Sequence, residues 1–428
     1  MELEFGLTKG LFNTQFAPLA VMASYCKQEQ YLKQLNMVEM GMKSVKFTPQ
    51  DKLSQVFVSI LAGCRHLAEV NTRLVPDRIL ARSWGFDQFT DQSNLSRHLD
   101  RLTQININQL REGIRTIWLP NSRTLALDLS GFLWLDFDLS GLACSKKSEQ
   151  AKKGYFSGKR NITGRQLARV SATQYAETVW SELYAGNRHT ITCLQPAVLA
   201  SESLLDLSAA KRKRVVWRLD GGSGSDEKIR WMLARDYQLV AKGYSNPRAH
   251  KLAKQVERWD PYRGAWLGEV APPVDWGRKA RVLVKKRLKK GKFVHSYYIF
   301  TLKMPSKRQL MNCYDLRGGA EIEQFRNDKS GLALDVRRKS KFISQQALIL
   351  LTDLAHNFLA HFHQQALVDS SFFHFGPQRI VRDLLTIPGR LTFSGTQLKR
   401  VELLETHPYA KELLICLPKL ISSPHHCK

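Results

Sequence analysis

Tyr314-Asp315-Leu316-Arg317-Gly318-Gly319-Ala320-Glu321 sets a phenol, a guanidinium and a carboxylate at tight spacing. Arg317 and Glu321 are four residues apart, so a helix presents both on one face. Such a face combines a phosphate clamp with a ligand for a hard cation. The same spacing also makes an ordinary ion pair on a solvated helix. Two aspartates upstream make the same chemical demand. Phe132-Leu133-Trp134-Leu135-Asp136-Phe137-Asp138-Leu139 alternates strictly, which predicts a strand with Asp136 and Asp138 on one face. Acids on a buried strand are costly unless a cation or hydrogen-bond donor meets them. Ser140-Gly141 is expected to end this strand, and Asp128, in an earlier Asp-Leu-Ser-Gly, is a rival to Asp138. Further on, Arg214-Val215-Val216-Trp217-Arg218-Leu219 reads as a strand. Asp220 stands at its carboxyl end, before Gly221-Gly222-Ser223-Gly224-Ser225 and a helix from about Asp226 to Arg235. Strand, acid, glycine loop, helix is how α/β sheets place ligand groups. The alternative for Asp220 is a turn or helix-capping aspartate. The loop is not a phosphate-binding Walker loop, because no Gly-Lys-Ser/Thr closes it.

Asp138, Asp220 and Glu321 are therefore the candidate acids. Hard divalent cations, Mg²⁺ or Mn²⁺, take oxygen ligands of this kind. Two such ions activate water or a 3′-hydroxyl and stabilise a leaving oxygen, which is phosphodiester chemistry.

The elements around these residues fall into blocks. Residues 1–120 read mainly as helices. Asp77 to Phe86, a turn through Asp91-Gln92-Ser93, and Asn94 to Leu102 form a helix-turn-helix pattern, with Ser, Asn, Arg97 and His98 on the outer face. A plain helical hairpin fits the same pattern. Lys146 to Asn161 reads as a basic loop punctuated by glycine, with Lys153, Lys159 and Arg160 suited to a phosphate backbone. Gln166 to Ser171 and Ala176 to Tyr184 read as a strand and a helix. Residues 245–300 look like a β-rich insertion. Its strands are Val282-Leu283-Val284 and Ser296 to Phe300, joined by the basic run Lys285 to Lys292, and Trp259, Trp266 and Trp276 pack its small core. Ile343 to Leu367 reads as a long apolar helix whose histidines are core or surface groups. Residues 376–428 mix short basic and apolar segments.

The chain has 428 residues and a formal net charge of +27. A polyanion is the natural partner of that excess. No apolar run is long enough to span a bilayer, and Met1-Glu2-Leu3-Glu4 lacks the pattern of a signal peptide. Seven scattered cysteines without a C-x-x-C pair indicate neither a zinc site nor a disulfide framework, and a reducing cytoplasm is expected.

In this ordered set the sequence resembles the DDE transposases of bacterial insertion sequences, in the group with a Tyr-x2-Arg-x3-Glu-x6-Lys signature. Tyr314, Arg317 and Glu321 match its first three positions. Leu135 to Gly141 and Arg218 to Gly221 resemble its two aspartate motifs, and the order Asp, Asp, β-insertion, Glu also matches. The signature's lysine position is Asp328 here, and Lys329 follows it. Either the helix carries a one-residue shift, or Glu323 replaces Glu321 as the ligand. Asp328, seven residues beyond Glu321, returns to the same helix face and would suit a supporting role there.

The resemblance implies an α/β fold: an RNase H-like mixed-sheet core with a β-rich insertion, preceded by an α-helical DNA-binding domain. The expected division is 1–120 DNA-binding, 121–244 first part of the core, 245–300 insertion, 301–375 second part of the core, and 376–428 a C-terminal region. It also implies Mg²⁺ or Mn²⁺ held by Asp138, Asp220 and Glu321, with Tyr314, Arg317 and Lys329 on phosphates. Double-stranded DNA is the implied partner, as inverted-repeat ends and as target, bound by a homodimer in a bacterial, nucleoid-associated setting. Two rival readings are a binding protein that has lost catalysis, and a nuclease that cuts without joining strands.

Overall fold

The computed structural model describes residues 3–41, 46–156 and 159–422, with side chains at all of these except 155, 159, 160 and 318–327. The chain folds as mixed α/β in two compact units. One comprises residues 123–146 and 150–324; the other comprises 1–122, 147–149 and 325–428.

The first unit is built on one large mixed sheet. Its centre is parallel. Strand Leu133–Ala143 pairs with Val215–Leu219, which pairs with Gln238–Lys242. Parallel neighbours need long crossovers. Helices Thr190–Leu204 and Asp226–Ala234 lie in these connections. Ser225 caps the second helix by accepting the Lys228 N–H. On one flank, Leu133–Ala143 pairs antiparallel with Lys159–Ala172, which also pairs with Lys152–Phe156 and Glu177–Ala185. On the other, Gln238–Lys242 pairs antiparallel with Lys292–Phe300. The sheet then continues through Arg281–Lys289, Ala265–Val270 and Asp260–Tyr262. The strands of 260–300 thus extend the central sheet itself. The basic run from Lys285 to Lys292 forms the hairpin end of two of them. Trp276 is buried, and its indole N–H donates to Asp226 at 3.0 Å. Trp259 and Trp266 stay half-buried around the Lys286 ammonium, at 4.2 and 5.4 Å from ring centre to Nζ.

Three local expectations are corrected here. The strand carrying Asp138 does not end at Ser140-Gly141 but runs to Ala143. Gly141 serves a close approach instead, since a Cβ there would lie 2.1 Å from the Phe156 ring. The basic stretch from Lys146 to Asn161 is largely a hairpin, not a loop. Ala176 to Tyr184 is not a helix: Glu177–Ala185 is a strand, with Val179, Ser181 and Leu183 buried at a period of two.

The second unit is mainly helical. Helices Ala17–Gln28, Pro49–Leu61, Gln92–Asp100, Gln104–Trp118 and Ala410–Ser422 share a core with Phe342–Phe362. Pro49–Leu61 starts in a Thr48/Asp51 capping box. A small sheet joins the chain's two ends: Glu4–Thr8 pairs parallel with Gln397–Leu404, which pairs antiparallel with Gly389–Ser394. The long apolar helix, expected in the second part of the core, therefore lies among the N-terminal helices. Phe358 meets Tyr31 and Phe57 edge-on, with ring centres 5.2 and 5.6 Å apart.

Gln92–Asp100 is the helix expected to read DNA, and one correction falls on it. His98 is not on the outer face; it is buried. Burial, with Lys52 and Arg101 nearby, lowers its pKa to about 4. Asp100 ties the helix down by accepting from Lys339 and Ser344. Arg97 is exposed and bonds Ser93 and Asn94 of its own helix.

Candidate active site

Leu133–Ala143 and Val215–Leu219 run parallel with Phe137 opposite Leu219. Asp138 and Asp220 are each one residue beyond that pair. They occupy neighbouring positions on adjacent strands, which in a sheet lie about 4.8 Å apart; Asp220 directly follows the last residue of its strand, whereas Asp138 lies mid-strand. Asp136 and Arg218 are the directly paired residues one pleat below. Asp220 is half-buried, and its Oδ1 accepts the Gly222 N–H at 2.9 Å. It makes a turn bond of its own but does not cap the following helix, a task that falls to Ser225. Gly224 lets the loop lie against Gln238–Lys242, since a Cβ there would be 2.0 Å from the Lys242 carbonyl. Asp128, the alternative to Asp138, is exposed in a turn, where the Ser130 N–H holds its carboxyl below the usual range.

Helix Lys307–Gly331 carries the third candidate acid, and Arg317 lies inside it. Arg317 donates to the Phe137 carbonyl at 3.3 Å and stands 3.7 Å from the Asp138 carboxylate. The face of this helix bearing Arg317 is thereby turned to the middle of the first aspartate strand, at Phe137 and Asp138. Tyr314 packs edge-on to Tyr298, with ring centres 4.6 Å apart. Asp315 accepts from Tyr262 at 2.8 Å and from Lys285 at 3.4 Å. Glu321 and Glu323 fall within the helix, but their side chains lie outside the described residues. Those of Lys159 and Arg160 do too, while Lys153 is exposed on its strand. Among the described residues no three acids, histidines or cysteines converge on one point.

A basic group without a signature in the sequence lies beside Asp220. Lys242 ends the neighbouring strand. Burial lowers its pKa, and Arg287, Arg317 and Lys285 lower it further, against the pull of Asp220. Its signal in sequence is only a lysine closing an apolar run. Lys329 and Asp328 belong to the helical unit. Asp328 is fully buried, with Oδ1 2.7 Å from His356 Nδ1, so its carboxyl is already engaged within that unit.

Oxygen donors paired on neighbouring strands, with cations around them, fit a divalent metal bound together with phosphate. The described donors are Asp138 and Asp220.

Residues 176–425 match the family model described as transposase DDE domain, group 1. No curated protein matches. Among solved structures, the chain is similar to a piggyBac transposase in a synaptic complex with hairpin DNA. The identity is 13%, over 89% of this chain and 81% of that one, with a TM-score of 0.46. It is also similar to a Mos1 transpososome before cleavage, at 12% identity over 47% of this chain and 60% of that one, with a TM-score of 0.18. The family match spans more than half of the sequence, and the chain belongs to the DDE transposases.

Proposed function

We propose that this chain is a DNA transposase of the insertion-sequence type, which cuts at terminal inverted repeats and joins the freed ends to target DNA. The observation that carries this reading is the juxtaposition of Asp138 and Asp220 on adjacent parallel strands, with the Arg317 face of Lys307–Gly331 turned toward them. The sheet order supports an RNase H-like core: Glu177–Ala185, Lys159–Ala172, Leu133–Ala143, Val215–Leu219, Gln238–Lys242.

In this reading Asp138, Asp220 and Glu321 hold Mg²⁺ or Mn²⁺. The bound ions supply a lowered pKa for water or a 3′-hydroxyl and neutralise charge on the leaving oxygen. The chain's own residues position the phosphate. Arg317 sits between the first aspartate and the phosphate it clamps. Lys242, Lys285 and Arg287 offset the negative charge of the strand. Tyr314, Lys329, Lys153, Lys159, Arg160 and Arg97 make further DNA contacts, and two copies of the chain bring two ends together.

The test is cleavage of a plasmid carrying the DNA that brackets the coding sequence, with Mg²⁺ or Mn²⁺. Asp220→Ala and Asp138→Ala should abolish cutting and joining while DNA binding persists. Full cutting by Asp220→Ala would overturn the assignment.

A further inference from the structure

Directly beneath the aspartate pair lies a second, buried pair. Arg218 and Asp136 face each other across the two aspartate strands, and both side chains are almost wholly buried. Arg218 Nε donates to Asp136 Oδ1 at 2.7 Å, and Nη2 donates to Oδ2 of the same carboxylate. The fork is therefore bidentate. Thr173 donates to Asp136 Oδ2 at 2.7 Å. The guanidinium stands 5.4 Å from the Trp134 ring centre. Its remaining nitrogen, Nη1, leaves the sheet and donates to the Cys313 carbonyl at 3.4 Å. Cys313 sits in Lys307–Gly331, one residue before Tyr314 and eight before Glu321.

One side chain thus ties its own aspartate strand to the other one and to the helix that carries the third candidate acid. A buried ion pair alone adds little stability over an apolar pair of equal volume. A rigid fork that fixes three elements at once has a different use, because metal ligands depend on the groups that orient them.

We propose that Arg218, held by Asp136, is a positioning residue that sets the helix bearing Tyr314, Arg317 and Glu321 against the two strand aspartates. This rests on the metal-site reading given above. Arg218 touches no reacting atom; it fixes the distance between the acids that do.

The test uses the full chain and Mn²⁺ as the probe, counted by electron paramagnetic resonance. Arg218→Lys keeps a cation against Asp136 but cannot also reach the Cys313 carbonyl. The double variant Asp136→Leu/Arg218→Met replaces the pair by apolar groups of similar volume. Thermal melting and binding to a random-sequence duplex should stay close to those of the unaltered chain. The Mn²⁺ dissociation constant should rise on the order of 10- to 100-fold, and cleavage should become correspondingly more metal-hungry. Asp220→Ala, run in parallel, separates the two claims. If it keeps Mn²⁺, the metal-site reading fails. If it loses Mn²⁺ while folded Arg218→Lys retains full affinity, the positioning role alone fails.

Discussion

Glu321 and Glu323 illustrate what one residue of register decides. On a helix they are about 200° apart, so only one can face the strand aspartates. Arg317 marks the helix face turned to the first aspartate strand, because it reaches the Phe137 carbonyl and the Asp138 carboxylate. Glu321 is four residues beyond Arg317 and shares its face; Glu323 does not. Glu321→Gln should therefore stop cleavage by at least two orders of magnitude, whereas Glu323→Gln should retain most of it. Single-turnover cutting rates decide the matter, and the reverse order would hand the role to Glu323. The departure at Asp328 belongs to the same scale. Restoring the signature by Asp328→Lys would put an ammonium where a fully buried carboxylate now meets His356. An uncompensated buried charge costs about 3–5 kcal/mol, so this variant should melt well below the unaltered chain. An unchanged melting temperature would show that the site relaxes around the new charge.

Among the elements, the two aspartate strands are legible from local pattern: Leu133–Ala143 opens in strict alternation, and Val215–Leu219 is a short, largely apolar run, buried throughout, that an acid and a glycine loop close. Asp138 and Asp220 stand out from it as candidates, and Lys242 does not, since one lysine after an apolar run has no pattern of its own. Glu177–Ala185 escapes for a related reason. Its inward positions are Val179, Ser181 and Leu183, and the serine breaks the apolar alternation. The extra strand length beyond Gly141 depends on Phe156 covering a glycine, a packing invisible in sequence. Gln92–Asp100 is legible as a helix, but the burial of His98 is not, because it arises from tertiary packing. That burial has a pH signature. The folded pKa is about 4, below the ordinary value near 6.5. Between those values the unfolded chain binds the proton and the folded chain does not, so this part of the stability is complete above about pH 6.5 and shrinks as pH falls toward 4. The full difference is at most about 3 kcal/mol. His98→Gln should flatten the fall in melting temperature over that window, and an unchanged pH profile would remove His98 as its source.

The whole molecule joins distant parts of the sequence. Residues 1–122 and 325–428 share one core, with Phe358 packed on Tyr31 and Phe57. Deleting 1–122 would strip that core, so specificity is better probed by point changes such as Arg97→Ala. Charge acts on the same scale. A net +27 does not itself say where DNA lies, but it dictates how binding answers to salt. Each phosphate that the chain neutralises releases counterion, and the affinity falls as a power of the salt concentration. With about six to ten phosphates neutralised, affinity should drop by roughly 10³ to 10⁵ between about 50 and 200 mM salt. The hairpin from Lys285 to Lys292 packs six cations into eight residues at one end of the large sheet. Replacing Lys289, Lys290 and Lys292 together by Gln removes cations at exposed positions, so the fold should be unaffected. The slope of log affinity against log salt should then become shallower by about 0.9 for each phosphate that the chain no longer neutralises. Fluorescence anisotropy on a random-sequence duplex measures that slope. An unaltered slope in the triple variant would place the phosphate-binding cations elsewhere on the chain.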